Sequence, residues 1–263
     1  MVKFGQNITN IQTTMNGKDY FCNRRTIRNY TEEKIDRRFL GELLEAASHA
    51  PTTGNMQLYS VVITQDDAGK QRLSPAHFGQ PSVMSAAAVL TFCADFNRFV
   101  KWCELRKARP GFNNLQAWLW AVEDTIIFAQ QFVTLAEMNG LGTCYLGTTT
   151  YNADRISELL GLPDLVVPVI TVTVGSPSSQ GAKSDRLPIE AIVHDEQYKD
   201  YNESGIARIY AEKEALQDSR KYVEENGKEN LAQVFTDVRY PKADNEHFSK
   251  VYSVLIRAKG FSF

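Results

Sequence analysis

The sequence lacks the short motifs by which many enzyme classes are identified. It contains no GxGxxG following a predicted strand, no GxxxxGK[ST], no GxSxG and no HExxH. Its four histidines show no metal-ligand spacing to one another: His49, His77, His194 and His247. Metal and triad mechanisms therefore lose support, whereas chemistry carried by a bound cofactor stays open.

Paired cysteines, an excess of charge and long apolar runs are absent as well. The cysteines Cys22, Cys93, Cys103 and Cys144 form no CxxC pair and no zinc spacing, so reduced thiols are expected. The formal net charge of -2 provides no general field for nucleic acid or an anionic membrane. No stretch reaches the ~18 consecutive apolar residues that span a bilayer. The first residues lack the positively charged region followed by an apolar region that is typical of a secretory signal. We therefore expect a cytoplasmic protein with no nucleic-acid or membrane partner.

The composition is that of an ordinary globular protein. Of the 263 residues, 43% are hydrophobic and 23% are charged, which is enough to bury a sizeable core. Such a length suits one large domain or one domain with an appendage. Because residues 201–263 are rich in Glu, Lys, Asn and Gln, they predict a C-terminal helical appendage to a main domain over residues 1–200. Its last helix, near residues 245–259, has an apolar face that should dock.

Helices and strands follow one another without a regular βαβα rhythm. Thr31 is predicted to cap a helix that ends before Pro51, and Asn152 to cap a short helix. A central helix, apolar on nearly all sides, is predicted over residues 113–139. Strands are predicted at residues 59–64, 88–95, 143–146 and 166–174. This mixture favours an α+β fold with a sheet between helices.

Residues 24–28 form the first candidate site. Arg24, Arg25 and Arg28 bring three guanidinium groups together with the hydroxyl of Thr26 just before a helix. Arginine offers a planar fork of donors for phosphate, so this composition suits an anion. A solvated basic patch explains the same residues equally well from spacing alone.

Two further polar loops are weaker candidates. Lys183 and Arg186 lie in a loop that follows the strand at residues 166–174. The loop over residues 51–57 carries small and amide side chains that could bond the edge of a polar heterocycle. Surface loops and turns favour the same residue types, so each loop has an ordinary structural explanation.

Taken in order, these segments resemble those of the nitroreductase family of FMN-dependent NAD(P)H oxidoreductases. RRTIRNYT is similar to the family's phosphate motif, and HAPTTGNMQLYSVVI to its second flavin loop. FCADFNR, VEDTIIFAQQFVTLAEMNGLGTCYLG and DRLPIEAIVHDEQY are also similar to family segments. The resemblance covers about residues 20 to 200 and is strongest to the larger branch of oxygen-insensitive NADPH nitroreductases and flavin reductases.

The resemblance implies a three-layer α/β/α sandwich with a mostly antiparallel sheet, assembled as an intertwined homodimer with FMN at the subunit interface. Arg28 matches the cation at the flavin's pyrimidine edge. The residues implied to hold the FMN phosphate and ribityl chain are Arg24, Arg25, Thr26, Lys183 and Arg186, of which Lys183 departs from the family's spacing. Those implied to reach the flavin from the other subunit are Pro51, Thr52, Thr53, Asn55 and Gln57.

The remaining implied contacts surround the flavin ring. Gln80 matches an amide near the isoalloxazine, and a strand end covers one flavin face with Tyr145, Leu146, Gly147 and Thr148. By this resemblance NADPH or NADH gives hydride to flavin N5 and leaves, and a nitro compound, quinone or flavin takes its place in a ping-pong reaction. No side chain acts as catalyst. The alternatives are a non-catalytic FMN-binding redox sensor or scaffold and, more remotely, a partner-binding module that uses the arginine cluster.

Overall fold

Four antiparallel strands form the sheet at the centre of the molecule. The computed structural model describes residues 17–263, so the first residues of the predicted main domain lie outside the described part of the chain. The strands run in the order β1-β2-β4-β3. Their bounds are Tyr59–Thr64 for β1, Ala88–Asp95 for β2, Gly142–Leu146 for β3 and Val166–Gly175 for β4. Each neighbouring pair is antiparallel, and β2 is buried along its whole length, as its apolar run predicts.

Helices cover the sheet and continue into the C-terminal region. The helices of the first half are α1 Gly17–Asn23, α2 Arg37–Ala47, α3 Asp67–Leu73, α4 Pro81–Ser85, α5 Asn97–Leu105 and α6 Leu115–Met138. Those of the second half are α7 Ala153–Leu159, α8 Glu203–Ala215, α9 Gln217–Glu225, α10 Leu231–Val234 and α11 Lys242–Ala258. No helix among residues 17–263 is long and apolar enough to cross a bilayer.

The sheet has a helical layer on each face. On one face Phe128 and Phe132 of α6 pack against Phe92 of β2, in a core that also contains Leu40 of α2. On the other face side chains of β2 and β3 share a second core with α3 and α4. The α/β/α layers and the antiparallel sheet confirm the predicted fold class.

The central helix α6 begins and ends where its sequence indicates. The Asn114 side chain accepts a hydrogen bond from Ala117 N at 3.0 Å, and Gly140 after the last turn has a φ of 82°. Three residues on one side are exposed: Leu115, Leu119 and Ile126. Their spacing places them on one helix face, which is apolar and has no partner within the described chain.

The predicted cap of α2 is wrong, whereas Asn152 has the predicted N-cap position of α7 but makes no side-chain cap hydrogen bond. Helix α2 begins at Arg37, and its cap is Asp36, whose carboxylate accepts from Arg38 N at 2.9 Å. Thr31 lies outside the helix because its backbone N–H donates to Ser176 O at 2.9 Å, which holds it beside the end of β4. Asn152 precedes α7, but its side chain donates to Ala76 O instead of capping.

The last helix docks through the apolar face that its sequence predicts. Leu255 and Ile256 of α11 are buried, and Tyr252 donates from its hydroxyl to Pro168 O at 3.1 Å. Beyond the helix, Phe261 packs edge-to-face on Trp118 at a centroid distance of 5.3 Å. The C-terminal segment is therefore packed onto the core around α6.

Candidate functional site

Two cationic segments far apart in sequence meet at one cavity of about 1200 Å³. Arg24 and Arg28 line it from the segment after α1, and Lys183 and Arg186 line it from the loop after β4. The other wall belongs to the C-terminal helices. The structure therefore brings the two predicted cation clusters together, and their binding of one anion stays a prediction.

A backbone hydrogen bond holds the two segments side by side, since Ser178 N donates to Asn29 O at 3.1 Å. The first segment is also bonded to the sheet, because Ile27 N donates to Thr143 O of β3 at 3.0 Å. A Cβ atom on Gly181 would lie only 2.2 Å from the backbone oxygen of Thr26. Only glycine therefore allows the second loop to run this close to the first.

Arg25 and Thr26 have different positions from Arg24. Arg25 donates from Nη1 to Gly181 O at 3.1 Å, and Thr26 contributes the backbone oxygen on which that glycine packs. Neither residue lines the cavity. In the single chain Arg25 bonds the second loop, and Thr26 packs against it.

Arg24 is partly satisfied within the chain. Its Nη2 forms an ion pair with Glu137 Oε1 at 3.0 Å, and Glu137 also accepts from Tyr20 Oη at 2.7 Å. Burial and this hydrogen bond raise the pKa of Tyr20, so its hydroxyl stays a donor. Arg24 Nε, however, is buried and has no hydrogen-bond partner among the described residues.

An unpartnered buried donor costs about 1–3 kcal/mol, more when it is charged. Guanidinium and ammonium groups, the usual partners of phosphate, line this cavity together with hydroxyl and amide donors. The residues present therefore fit the phosphate of a bound nucleotide-type cofactor.

The Cys144 thiol beside Arg28 is a packing group. Burial raises the pKa of Cys144 more than the nearby arginines lower it. The side chain is 2% exposed. A buried protonated thiol is a poor nucleophile, so we assign it no redox role.

A second group of predicted residues meets at the end of β3. Thr148 Oγ1 accepts from Gln80 Nε2 at 3.4 Å and lies 3.0 Å from His77 Nδ1. His77 is completely buried, and burial lowers its pKa to about 4. A neutral imidazole thus fixes the hydroxyl that Gln80 contacts.

The strand end itself presents backbone more than side chains. Leu146 is 1% exposed, so its side chain belongs to the core. Tyr145 donates from its hydroxyl to Gln130 Oε1 at 3.3 Å. A Cβ atom on Gly147 would meet nothing within 4 Å, which leaves open space above the turn that it begins.

The loop over residues 51–57 lies away from the cation cavity within the single chain. Thr53 donates from its backbone N and its hydroxyl to Asp124 Oδ1, at 2.8 and 3.0 Å. Gln57 N donates to Thr52 Oγ1 at 3.0 Å, and Asn55 and Gln57 have left-handed backbone conformations. No residue of this loop lines the cavity, and Pro51, Asn55 and Gln57 are exposed. The loop is rigidly built and free to contact another molecule.

The sequence model of the nitroreductase family matches residues 22–176, which is more than half of the chain. The chain belongs to the nitroreductase family. This confirms the resemblance read from the motifs at residues 24–31 and 49–63, both of which fall within the matched segment.

Individual nitroreductases and related reductases agree with this membership. The chain is 33% identical over 190 residues to an oxygen-insensitive NADPH nitroreductase of Salmonella typhimurium LT2, covering 72% of this chain and 78% of that one. It is 35% identical over 181 residues to an FMN reductase [NAD(P)H] of Bacillus subtilis 168, covering 68% and 73%. A Bacteroides fragilis NCTC 9343 protein of known crystal structure is 53% identical, with a TM-score of 0.91, covering 93% and 100%.

Several residues of this nitroreductase site escape sequence reasoning. Asp124 and Glu137 are carboxylates within the apolar helix α6. An acidic residue among the apolar positions of a predicted buried helix face could have identified Asp124 as a residue with a specific partner. Lys213, Tyr222 and Arg239 line the cavity from the C-terminal region. Their sequence neighbourhood resembles any solvated charged helix, so no local signal distinguishes them.

Proposed function

We propose that this chain is an FMN-dependent NAD(P)H oxidoreductase that reduces nitro compounds, quinones or flavins by a ping-pong reaction. One observation carries the proposal: Arg24, Arg28, Lys183 and Arg186, cations from two distant segments, surround one cavity. Curated relatives that share about a third of their residues with this chain are named NADPH nitroreductase and FMN reductase. These names favour catalysis over a redox sensor or scaffold.

The proposed cofactor site divides into a phosphate end and a ring end. Arg24, Lys183 and Arg186 would hold the phosphate, with Arg25 and Thr26 joining the two loops beside it. Arg28 would lie at the pyrimidine edge, where a cation favours negative charge on the reduced ring. Gln80 and the strand end with Tyr145, Leu146, Gly147 and Thr148 would border the ring.

We propose a homodimer in which the partner completes each site. The exposed apolar face of α6 offers a surface that a second copy would cover, and a C2 contact is the commonest oligomer interface. The loop with Pro51, Thr52, Thr53, Asn55 and Gln57 would then reach the partner's flavin. We further propose that residues 1–200 form the FMN-binding domain, that residues 201–263 are its appendage and that the protein works in the cytoplasm.

When bound, FMN supplies the centre that takes a hydride from the nicotinamide and passes two electrons to the acceptor. A quinone plus NAD(P)H and one proton gives a hydroquinone and NAD(P)+. A nitro group with the same reactants gives a nitroso group, NAD(P)+ and water. The side chains position both substrates and stabilise charge, which accounts for a chain without a triad or metal motif.

The proposal is tested with purified protein and added FMN. We expect a yellow complex whose absorbance near ~450 nm bleaches when NADH or NADPH is added without oxygen. Arg24→Gln should weaken FMN binding by about 10–100-fold, since a charged hydrogen bond contributes ~1.5–3 kcal/mol. Arg186→Gln, an exposed position, should weaken it without affecting the fold.

Arg72→Gln on the exposed side of α3 is the matched control and should bind FMN like the parent protein. A colourless protein that binds no FMN would refute the proposal. A yellow protein that neither nicotinamide bleaches would instead support the redox sensor or scaffold.

A further inference from the structure

The C-terminal region supplies an aromatic and cationic wall to the cavity opposite the phosphate loops. Tyr222 of α9 and the turn Phe235–Arg239 both line it. The Arg239 guanidinium carbon lies 4.5 Å from the centre of the Tyr222 ring and 5.4 Å from that of Phe235. Two rings thus hold one cation at the cavity wall.

The donors of Arg239 remain available to a ligand. The neighbouring cation Lys213 is paired with Asp185 at 2.7 Å, whereas the Arg239 side chain has no ion pair and no hydrogen bond within residues 17–263. Stacking on a ring engages the face of a guanidinium and leaves its N–H groups directed outward in the plane. An oxyanion lying in that plane could accept two of them.

The cavity has both the charge and the space for a second anionic ligand. Six cationic side chains of the described chain line it against two carboxylates, those of Asp185 and Asp218. A flavin phosphate would neutralise about two of these charges and leave a positive surplus. The cavity volume of about 1200 Å³ also exceeds the ~300–1,000 Å³ of ordinary single-ligand sites.

We propose that Arg239, held on Tyr222 and Phe235, is an anion subsite that selects flat aromatic or quinonoid acceptors bearing a carboxylate or sulfonate. The apolar side chains of the same wall would contact the flat ring of such an acceptor. This inference rests on the proposed oxidoreductase function and deepens it, because it names the acceptor class.

The test compares two acceptors of nearly equal shape, 4-nitrobenzoate and neutral 4-nitrobenzamide, with the FMN-loaded full chain. Arg239→Gln should lower kcat/KM for 4-nitrobenzoate by about tenfold and for 4-nitrobenzamide by less than about twofold. Arg239→Lys should recover part of the loss, because it keeps the charge without the planar fork. Tyr222→Leu removes one supporting ring and should cost about threefold with 4-nitrobenzoate alone.

Arg208→Gln is the matched control, an exposed arginine of α8 that does not line the cavity. It should leave both acceptors unchanged. Thermal unfolding of each variant checks that the fold is kept. Because the reaction is ping-pong, anaerobic reduction by NADPH is measured separately from reoxidation by the acceptor.

Each outcome has one interpretation. Equal losses with both acceptors would overturn the subsite, and so would a weakened NADPH step with unchanged reoxidation, which assigns Arg239 to the nicotinamide. In both cases the oxidoreductase function survives. If the parent protein with FMN is not bleached by either nicotinamide, the proposed function itself fails and the acceptor subsite falls with it.

Discussion

Asp124 anchors the loop over residues 51–57 from inside α6, and its replacement by asparagine tests this part of the site. The carboxylate is 1% exposed and accepts from Thr53 N, Thr53 Oγ1 and Leu58 N at 2.8, 3.0 and 3.2 Å. Asparagine keeps the volume but replaces one acceptor oxygen with an NH2 donor. Whichever way the amide turns, an N–H group faces another donor.

The expected loss follows from those contacts. If the amide oxygen keeps Thr53, the NH2 group faces the N–H of Leu58, a residue that is 0% exposed. A charged hydrogen bond contributes ~1.5–3 kcal/mol, and an unsatisfied buried donor costs ~1–3 kcal/mol. Since the two effects overlap, we expect a loss of about 3 kcal/mol in the free energy of unfolding, or roughly 6–12 °C in Tm for a chain of this size.

The assay is thermal unfolding followed by circular dichroism at fixed protein and FMN concentrations, because both affect Tm. Glu123→Gln is the matched control, since the adjacent Glu123 is exposed, and it should shift Tm by less than about 1 °C. Asp124→Asn should also weaken FMN binding by displacing the loop. A Tm within about 2 °C of the parent protein would show that this carboxylate does not hold the loop.

Three further predictions concern the neighbouring residues. Gly181→Ala should lower Tm and FMN affinity together, because its Cβ would meet Thr26 O; unchanged values would contradict the close approach of the two loops. Burial lowers the pKa of His77 from 6.5 to about 4, so between these pH values the unfolded chain binds a proton that the folded chain does not. The free energy of unfolding should therefore fall as pH drops through that window, by up to ~1.4 kcal/mol per pH unit. Urea midpoints at pH 7.5 and 5 measure this fall, and a His77→Asn variant with the same pH dependence would refute the assignment. A thiol reagent should label exposed Cys22 in the native protein and spare the three buried cysteines, with FMN slowing the labelling because Cys22 lines the cavity; equal labelling with and without FMN would place the cofactor elsewhere.

Much of the fold follows from local patterns in the chain. The apolar run at residues 88–95 predicts a strand covered on both faces, and Asn139 with Gly140 predicts the end of α6. The start of α2 could not be fixed in this way, because Thr31 and Asp36 are both suitable caps. Ser176, just after the end of β4, decides between them by accepting the backbone N–H of Thr31, and the local sequence does not reveal that contact.

The candidate site was only half predictable for a related reason. Arg24 and Arg186 attract notice through their composition and through family motifs that place them. Asp124 acts through two backbone N–H groups and a hydroxyl, so its role depends on where a distant loop lies. Arg239 becomes informative only when tertiary packing stacks it on Tyr222, because surface arginines are common in charged helices.

The separation of Arg24 from Arg186 along the chain has a consequence for biosynthesis. A nascent polypeptide that has emerged only as far as β4 carries the first cations but not the loop that completes them, and the aromatic wall from α9 onward is made later still. Bringing two such distant segments together costs conformational entropy before any ligand can bind between them. The cavity is therefore complete only after the C-terminal region has been synthesised, and a chain truncated directly after β4 should bind FMN weakly or not at all.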